Sequence, residues 1–215
     1  MNTDLILYYK QRATEYEAIY AKPERQADLA EAACLLKTIF DGKHVFEIAC
    51  GTGYWTERIA ETAASILATD INPEVLDIAQ LKHYPPGKVD FAIVDFYKIE
   101  NRLPYQCVFG GFIWSHIELQ QLDKFLNHVA KCIEPGGTMV FMDNKYVEGS
   151  SLPIDETDEY GNTYQHRVLS DGSRHRVLKN FPTESFIKEL LADRAEDIEF
   201  IDLSHYWIVK LRTRA

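Results

Sequence analysis

Short apolar runs alternate with amphipathic stretches along most of the chain, and that alternation predicts strands and helices in turn. Residues 5–20 carry Tyr and Leu at helical spacing, and Pro23-Glu24 opens a second helical stretch that runs to 40, where Asp41-Gly42 stops it. Residues 44–49 read as a buried strand, 54–64 as a helix, 65–71 as a strand, and 73–81 as a helix with Asn72 at its N-cap. A third strand at 89–94, a fourth at 106–114, a helix at 119–132 and, past the Pro135-Gly136-Gly137 turn, a fifth strand at 138–143 continue the series. Repeated strand–helix units with short connections predict a parallel sheet covered by helices on both faces.

At 144–181 the pattern gives way to polar residues rich in Asp, Glu, Arg and His, within which Ser170-Asp171-Gly172-Ser173 marks a two-residue hairpin turn. A helix at 183–192 and adjacent strands at 197–203 and 205–212 follow, the two strands pairing antiparallel at the sheet edge. The expected organisation is one α/β domain: a helical cap at 1–41, a core at 42–143, an insertion at 144–181, and a final helix and strand pair at 182–215.

Composition narrows the class. With 215 residues, 46% of them hydrophobic, the chain supports one substantial core rather than two. A formal charge of −10 opposes a phosphate backbone, so nucleic acid is not an expected partner. Cys34, Cys50, Cys107 and Cys132 are widely spaced and form no ligand cluster, which predicts a reduced intracellular protein without a metal site. No basic leader and no apolar run of about 18 residues is visible, so a cytoplasmic, membrane-free protein is expected. Oligomeric state is not legible.

Candidate chemistry gathers where strands end. Gly51 and Gly53 follow the first strand, where an open α/β sheet binds ligands and where glycine lets the backbone turn and approach closely. Thr56 replaces the third small residue of a dinucleotide fingerprint, which counts against a nicotinamide oxidoreductase, and the Gly-Lys-Ser/Thr of a phosphate loop is absent. Glu47, at the end of the same strand, would repel a pyrophosphate but suits an ammonium or sulfonium. Asp70 closes the second strand where a carboxylate accepts ribose hydroxyls, and Asp95-Phe96 closes the third where an acid and a ring suit a purine. A nucleoside carrying positive charge satisfies all three.

Glu47-x-Ala49-Cys50-Gly51-Thr52-Gly53, Asp70, Asp95-Phe96 and Pro135-Gly136-Gly137 resemble the motifs of the class I S-adenosylmethionine-dependent methyltransferases, over about the first two-thirds of the chain. The resemblance implies a Rossmann-like, seven-stranded sheet of order 3-2-1-4-5-7-6 with strand seven antiparallel, and S-adenosyl-L-methionine as cofactor. It implies that Glu47 faces the methionine end, Asp70 the ribose, and Asp95 with Phe96 the adenine, with Ile71 among the cofactor contacts. Cys50 stands where the family usually has Gly. A narrower set, Tyr8-Tyr9-x-x-Arg12-Ala13-x-Glu15-Tyr16, Gly53-Tyr54-Trp55-Thr56, Ile113-Trp114-Ser115-His116 and Asp171-Gly172-x-x-x-Arg176-Val177-x-Lys179, is similar to the family of the phosphonate O-methyltransferase of dehydrophos biosynthesis. That likeness implies oxygen methylation of a small anionic acid, an N-terminal helix closing over the cofactor with Tyr9 and Tyr16 near it, and Arg176 and Lys179 holding the anion. Tyr54, Trp55 and Trp114 join the expected cofactor contacts.

Several readings stay open. A two-residue turn places Arg167 opposite Arg176, like charges that need an anion nearby: a bound acid, or the acidic run Asp155, Glu156, Asp158, Glu159. Strict alternation also turns Arg176 and Lys179 to opposite faces unless a bulge intervenes. An ionised acceptor needs no base, whereas N- or O-methylation of a neutral molecule needs one, and His116 is the candidate. Tyr8, Tyr9, Tyr16 and Trp114 read equally well as core aromatics. A cofactor-binding protein without catalysis fits the same motifs.

Overall fold

A computed structural model describes residues 3–100 and 105–214. The main sheet contains β1 (His44–Ile48), β2 (Ser65–Asp70), β3 (Val89–Ile93), β4 (Cys107–Gly111), β5 (Thr138–Asn144), β9 (Ala195–Asp202) and β10 (Tyr206–Thr213). Their order is β3-β2-β1-β4-β5-β10-β9, with β10 antiparallel to β5 and to β9, which is the sheet the motifs implied. Helices α3 (Tyr54–Ala60), α4 (Pro73–Ala79), α5 (Leu122–Val129) and α6 (Glu184–Leu191) cross over between strands, preceded by α1 (Thr3–Arg12) and α2 (Gln26–Ile39).

The central strands are largely apolar because alternate side chains enter two separate cores. Phe46, Val108, Phe141 and Trp207 pack with Phe125 and Ile187 of α5 and α6 on one face. Their neighbours Val45, Phe109, Val140 and Ile208 pack with Leu36 and Ile59 of α2 and α3 on the other.

The helical cap differs from the single helix expected at 5–20. It is α-helical to Arg12 and then tightens into 3-10 turns over Ala13–Ala21. At three residues per turn, side chains three apart stack on one side, which puts Tyr16 and Ile19 together over a cavity beneath. The insertion forms its own small sheet of β6 (Glu156–Thr157), β7 (Thr163–Val168) and β8 (Arg174–Leu178), in that order. Tyr8 of α1 packs on Val177 of this sheet and on Leu169 just beyond β7, so cap and insertion form one roof over the carboxyl ends of the main strands. Among the described residues, no helix is long and apolar enough to cross a membrane.

Candidate functional site

β1 leaves the sheet through a chain of left-handed residues: Ala49, Gly51 and Gly53 have φ of 54°, 56° and 77°. A Cβ on Gly53 would lie 2.6 Å from the Tyr84 hydroxyl and 3.0 Å from Ala79 Cβ, so this glycine is required by packing against α4. Gly51 has open space, with Tyr16 Cε1 4.0 Å from such a Cβ, and is required by its φ and by its place in the crevice wall. The position where the backbone favours glycine and the chain lacks it is therefore Ala49, not Cys50. Phe112, after β4, is held at φ 60°, a second strained residue on the same crevice.

Glu47 is buried at the closed end of this crevice beside Cys50, Tyr54 and Trp55. Its Oε2 has no hydrogen-bond partner, and burial, with the charge of Asp70 added, pushes the carboxyl up to about 7. A buried acceptor left open is costly unless a ligand supplies the donor, and an ammonium does so. Asp70 takes the Gly51 N–H on Oδ2 (3.0 Å) and the Asn72 N–H on Oδ1 (2.9 Å), which clamps the loop to β2 and leaves lone pairs for hydroxyls. Burial raises its pKa, and those backbone donors work the other way. Ala49, Ile71 and Phe96 line the same crevice. These groups fit the ammonium, ribose and purine of S-adenosylmethionine.

If Glu47 meets that ammonium, the carboxyl must give up its proton on binding. At pH 7 calorimetry in buffers of different ionisation enthalpy should show a fraction of a proton released, with affinity weakening as pH falls below 7. No proton release, with affinity independent of pH, would detach Glu47 from the ligand.

Two expected contacts have protein partners of their own. Asp95 caps the turn that follows β3, accepting the Tyr97 N–H at 3.1 Å, with its other oxygen 3.4 Å from Lys98 Nζ. Trp114 is buried in the core against Phe141 and Trp207, because β4 ends at Gly111 and a 3-10 turn over Trp114–His116 rolls the indole inward and His116 outward.

Beside the crevice, and sharing Tyr9, Tyr16, Phe112 and His116 with it, lies a cavity of about 590 Å³ under the insertion. Its basic residues are Arg12, Lys22, Arg25, Arg167 and Lys179, against one carboxylate, Glu15. Arg176 is not among them. The hairpin loop has three residues, not two: Leu169 pairs with Ser173, Gly172 stands at φ 83°, and its N–H bonds back to the Leu169 carbonyl. One added loop residue shifts the register, so Arg176 faces His166 while Arg167 faces His175. Arg176 thus points away from the cavity, lies 3.4 Å from the Tyr164 ring centroid and binds both carboxylate oxygens of Glu156 at 2.6 and 2.8 Å. The acidic run does offset a basic residue of the hairpin, but that residue is Arg176. Arg176→Ala should cost about 1 kcal/mol of stability in urea denaturation, as an exposed ion pair does, and leave KM unchanged for any substrate.

Arg167, which the two-residue turn would have set opposite Arg176, lies on the other face of the hairpin and lines the cavity. Its Nη2 donates to Gln165 Oε1 at 2.8 Å, its Nη1 reaches the Tyr8 hydroxyl at 3.4 Å, and its buried Nε has no acceptor. Among the described residues, no carboxylate lies within ion-pairing distance of it. Lys179 is buried on the Asp143 carboxylate (2.9 Å) and the Ser115 hydroxyl (2.6 Å), and burial brings its pKa down to about 8 despite Asp143. Asp143, which carries no motif of its own in the sequence, anchors it from β5, and Ser115 from the Trp114–His116 turn.

His116 lies at the junction of crevice and cavity. The Leu178 carbonyl, 2.6 Å from Nδ1, can only accept, so Nδ1 carries the hydrogen and Nε2 accepts from the Tyr9 hydroxyl at 2.6 Å. Burial, and then Lys179, hold the imidazole well below its usual pKa, so it is neutral.

Residues 45–137 match the family described as "Methyltransferase domain". The chain is 24% identical over 174 residues to malonyl-acyl-carrier-protein O-methyltransferase of Serratia marcescens, covering 78% of this chain and 58% of that one. It is 30% identical over 100 residues to the biotin biosynthesis bifunctional protein BioHC of Cellvibrio japonicus, covering 45% of this chain and 19% of that one, so it spans less than two-thirds of either relative. Residues 45–137 thus carry a methyltransferase domain, and the order of the sheet around them is that of the class I S-adenosylmethionine-dependent methyltransferase fold. Among solved structures its fold is similar to that of DhpI in a "DhpI-SAM-HEP complex", with a TM-score of 0.80, 23% identity and 99% of both chains covered.

Proposed function

We propose that the chain methylates an oxygen of a small anionic acid, of phosphonate or carboxylate type, held in the basic cavity. The observation that carries this reading is Arg167: a guanidinium with a buried, unpartnered Nε and no carboxylate, in a cavity whose basic residues outnumber its acids within a chain of charge −10. Arg167 is half-buried and lacks a counter-ion among the described residues, and an anionic ligand in the cavity supplies one.

S-adenosylmethionine supplies an electrophilic methyl on a sulfonium. What the chain supplies is position and dryness: the acceptor oxygen must lie in line with that methyl, with water excluded. Arg167 and Lys179 hold the anion by charge-assisted hydrogen bonds, and Tyr9, Tyr16 and Phe112 separate cavity from crevice. An ionised oxygen needs no base. The neutral His116 then serves to fix Tyr9, since its one lone pair is already engaged. DhpI forms a complex with SAM and HEP together, and two adjoining sites of this kind would suit such a pair of ligands.

Methyl transfer to a panel of small carboxylates, phosphonates, alcohols and amines tests the reading. Arg167→Met should raise KM for the acids at least tenfold, the loss of about one charge-assisted bond, while affinity for S-adenosylhomocysteine stays within twofold. Turnover of alcohols or amines alone, with KM indifferent to Arg167, would sink it.

A further inference from the structure

We infer that the cavity contains a second oxyanion site, at Arg25, so that the acceptor is a bifunctional acid carrying a carboxylate or phosphoryl group at the end remote from the methylated one. The inference rests on the reading of the cavity as an acid-binding site.

Arg25 stands at the start of α2 and is 6% exposed, which is unusual for arginine without an acid beside it. Its contacts are all to neutral oxygens: Nε and Nη2 reach Ser150 Oγ at 3.2 and 3.0 Å, Nη2 the Ser150 carbonyl at 3.4 Å, and Nη1 Asn144 Oδ1 at 3.2 Å. Four of the five N–H groups are so engaged, and the hydroxyl of Tyr206, also neutral, lies beside the guanidinium. The ring of Tyr206, 5.6 Å from the guanidinium carbon, covers another side. Its links to carboxylates are indirect: Ser150 Oγ donates to the exposed Glu24 at 2.9 Å, and Asn144 Nδ2 donates to Asp143 Oδ1 at 3.1 Å. Among the described residues none lies within ion-pairing distance of Arg25.

A second cation converges there. Lys22 Nζ donates to the same Ser150 carbonyl at 2.6 Å, which leaves two of its hydrogens unassigned, and Lys22, Arg25, Asn144 and Ser150 all line the cavity. Two cations gathered on one neutral carbonyl repel each other, and an anion between them reverses the sign of that interaction. The site is continuous with the first. Asn144 follows Asp143, whose Oδ1 holds Lys179 at 2.9 Å and accepts the Asn144 N–H at 2.8 Å, so the two basic groups hang from adjacent residues of β5. A cavity of about 590 Å³ also falls within the range of roughly 300–1,000 Å³ that holds ligands of drug size, which leaves room for a chain between two charged ends.

Binding in the presence of S-adenosylhomocysteine tests this with named probes. One arm uses the dicarboxylates malonate, succinate, glutarate and adipate against monocarboxylates of equal length, and another uses phosphonocarboxylates against alkylphosphonates. At least one bifunctional acid is expected to bind tenfold or more tighter than its monofunctional counterpart, and the arm that shows it names the second group. Arg25→Met should collapse that ratio to near one, while Arg25→Lys should retain part of it. Arg167→Met should weaken both members of each pair and preserve the ratio. Thermal melting and S-adenosylhomocysteine affinity verify that each variant is folded. Bifunctional acids that bind no better than monofunctional ones, or an Arg25→Met variant that weakens both equally, overturn the second site alone. Monofunctional acids indifferent to Arg167 overturn the reading beneath it.

Discussion

Asp70→Ala should weaken S-adenosylhomocysteine binding by about 100-fold or more in calorimetry. The carboxylate has two tasks there, and the variant loses both. It would accept the ribose hydroxyls, each such bond to a charged acceptor contributing about 1.5–3 kcal/mol. It also holds the Gly51 and Asn72 N–H groups at 3.0 and 2.9 Å, fixing a loop in which Ala49, Gly51 and Gly53 all have positive φ. Without that clamp the loop must be ordered at the moment of binding, which costs further affinity. Asp70→Asn keeps one oxygen acceptor and should fall between, near tenfold. Wild-type affinity in Asp70→Ala would remove this residue from the cofactor site.

Much of this architecture was legible because two independent periodicities pointed to it. Apolar strands such as Val45-Phe46 and Val108-Phe109 are unbroken because both faces are covered, and helices with single apolar faces fall between them. The crevice was legible for a related reason: in a parallel sheet, a residue at a strand's carboxyl end has its location set by topology, so Glu47 and Asp70 could be placed before any contact was known. Asp95 also caps the turn after β3, its side chain taking the Tyr97 N–H, a task that a strand-end position alone does not reveal.

The basic cavity was harder to read, for a reason that lies in one loop residue. Register in a hairpin follows loop length, and Leu169-Ser170-Asp171-Gly172-Ser173 fits a three-residue loop with glycine in the left-handed place as well as a two-residue turn. The shorter loop would set Arg167 directly opposite Arg176 on one face, whereas the observed register separates them, Arg167 toward the cavity and Arg176 toward Glu156. Lys179 escaped the error because it lies beyond β8, which ends at Leu178, where alternation no longer governs. Arg25 and Asn144 had no local signal at all, because they meet only when α2 packs against the end of β5.

Lys179→Met is expected to abolish turnover and to lower stability by about 3 kcal/mol, and the second effect must be separated from the first. Lys179 and Asp143 form a buried pair, the one 6% and the other 0% exposed at the side chain. Removing the cation leaves a buried carboxylate, and breaking such a pair from one side costs about 3–5 kcal/mol. Here the loss should fall at the lower end, since the Ser115 N–H (2.9 Å), Ser115 hydroxyl (2.9 Å) and Asn144 N–H (2.8 Å) still bind Asp143. Adding Asp143→Asn removes the orphaned charge, so the double variant should recover at least half of the lost stability in urea denaturation. Turnover should not return with it, because the cation that holds the acceptor is still missing. A double variant with restored stability and restored turnover would make Lys179 merely the counter-ion of Asp143, whereas stability without turnover makes the pair a device that holds a cation ready in a dry cavity.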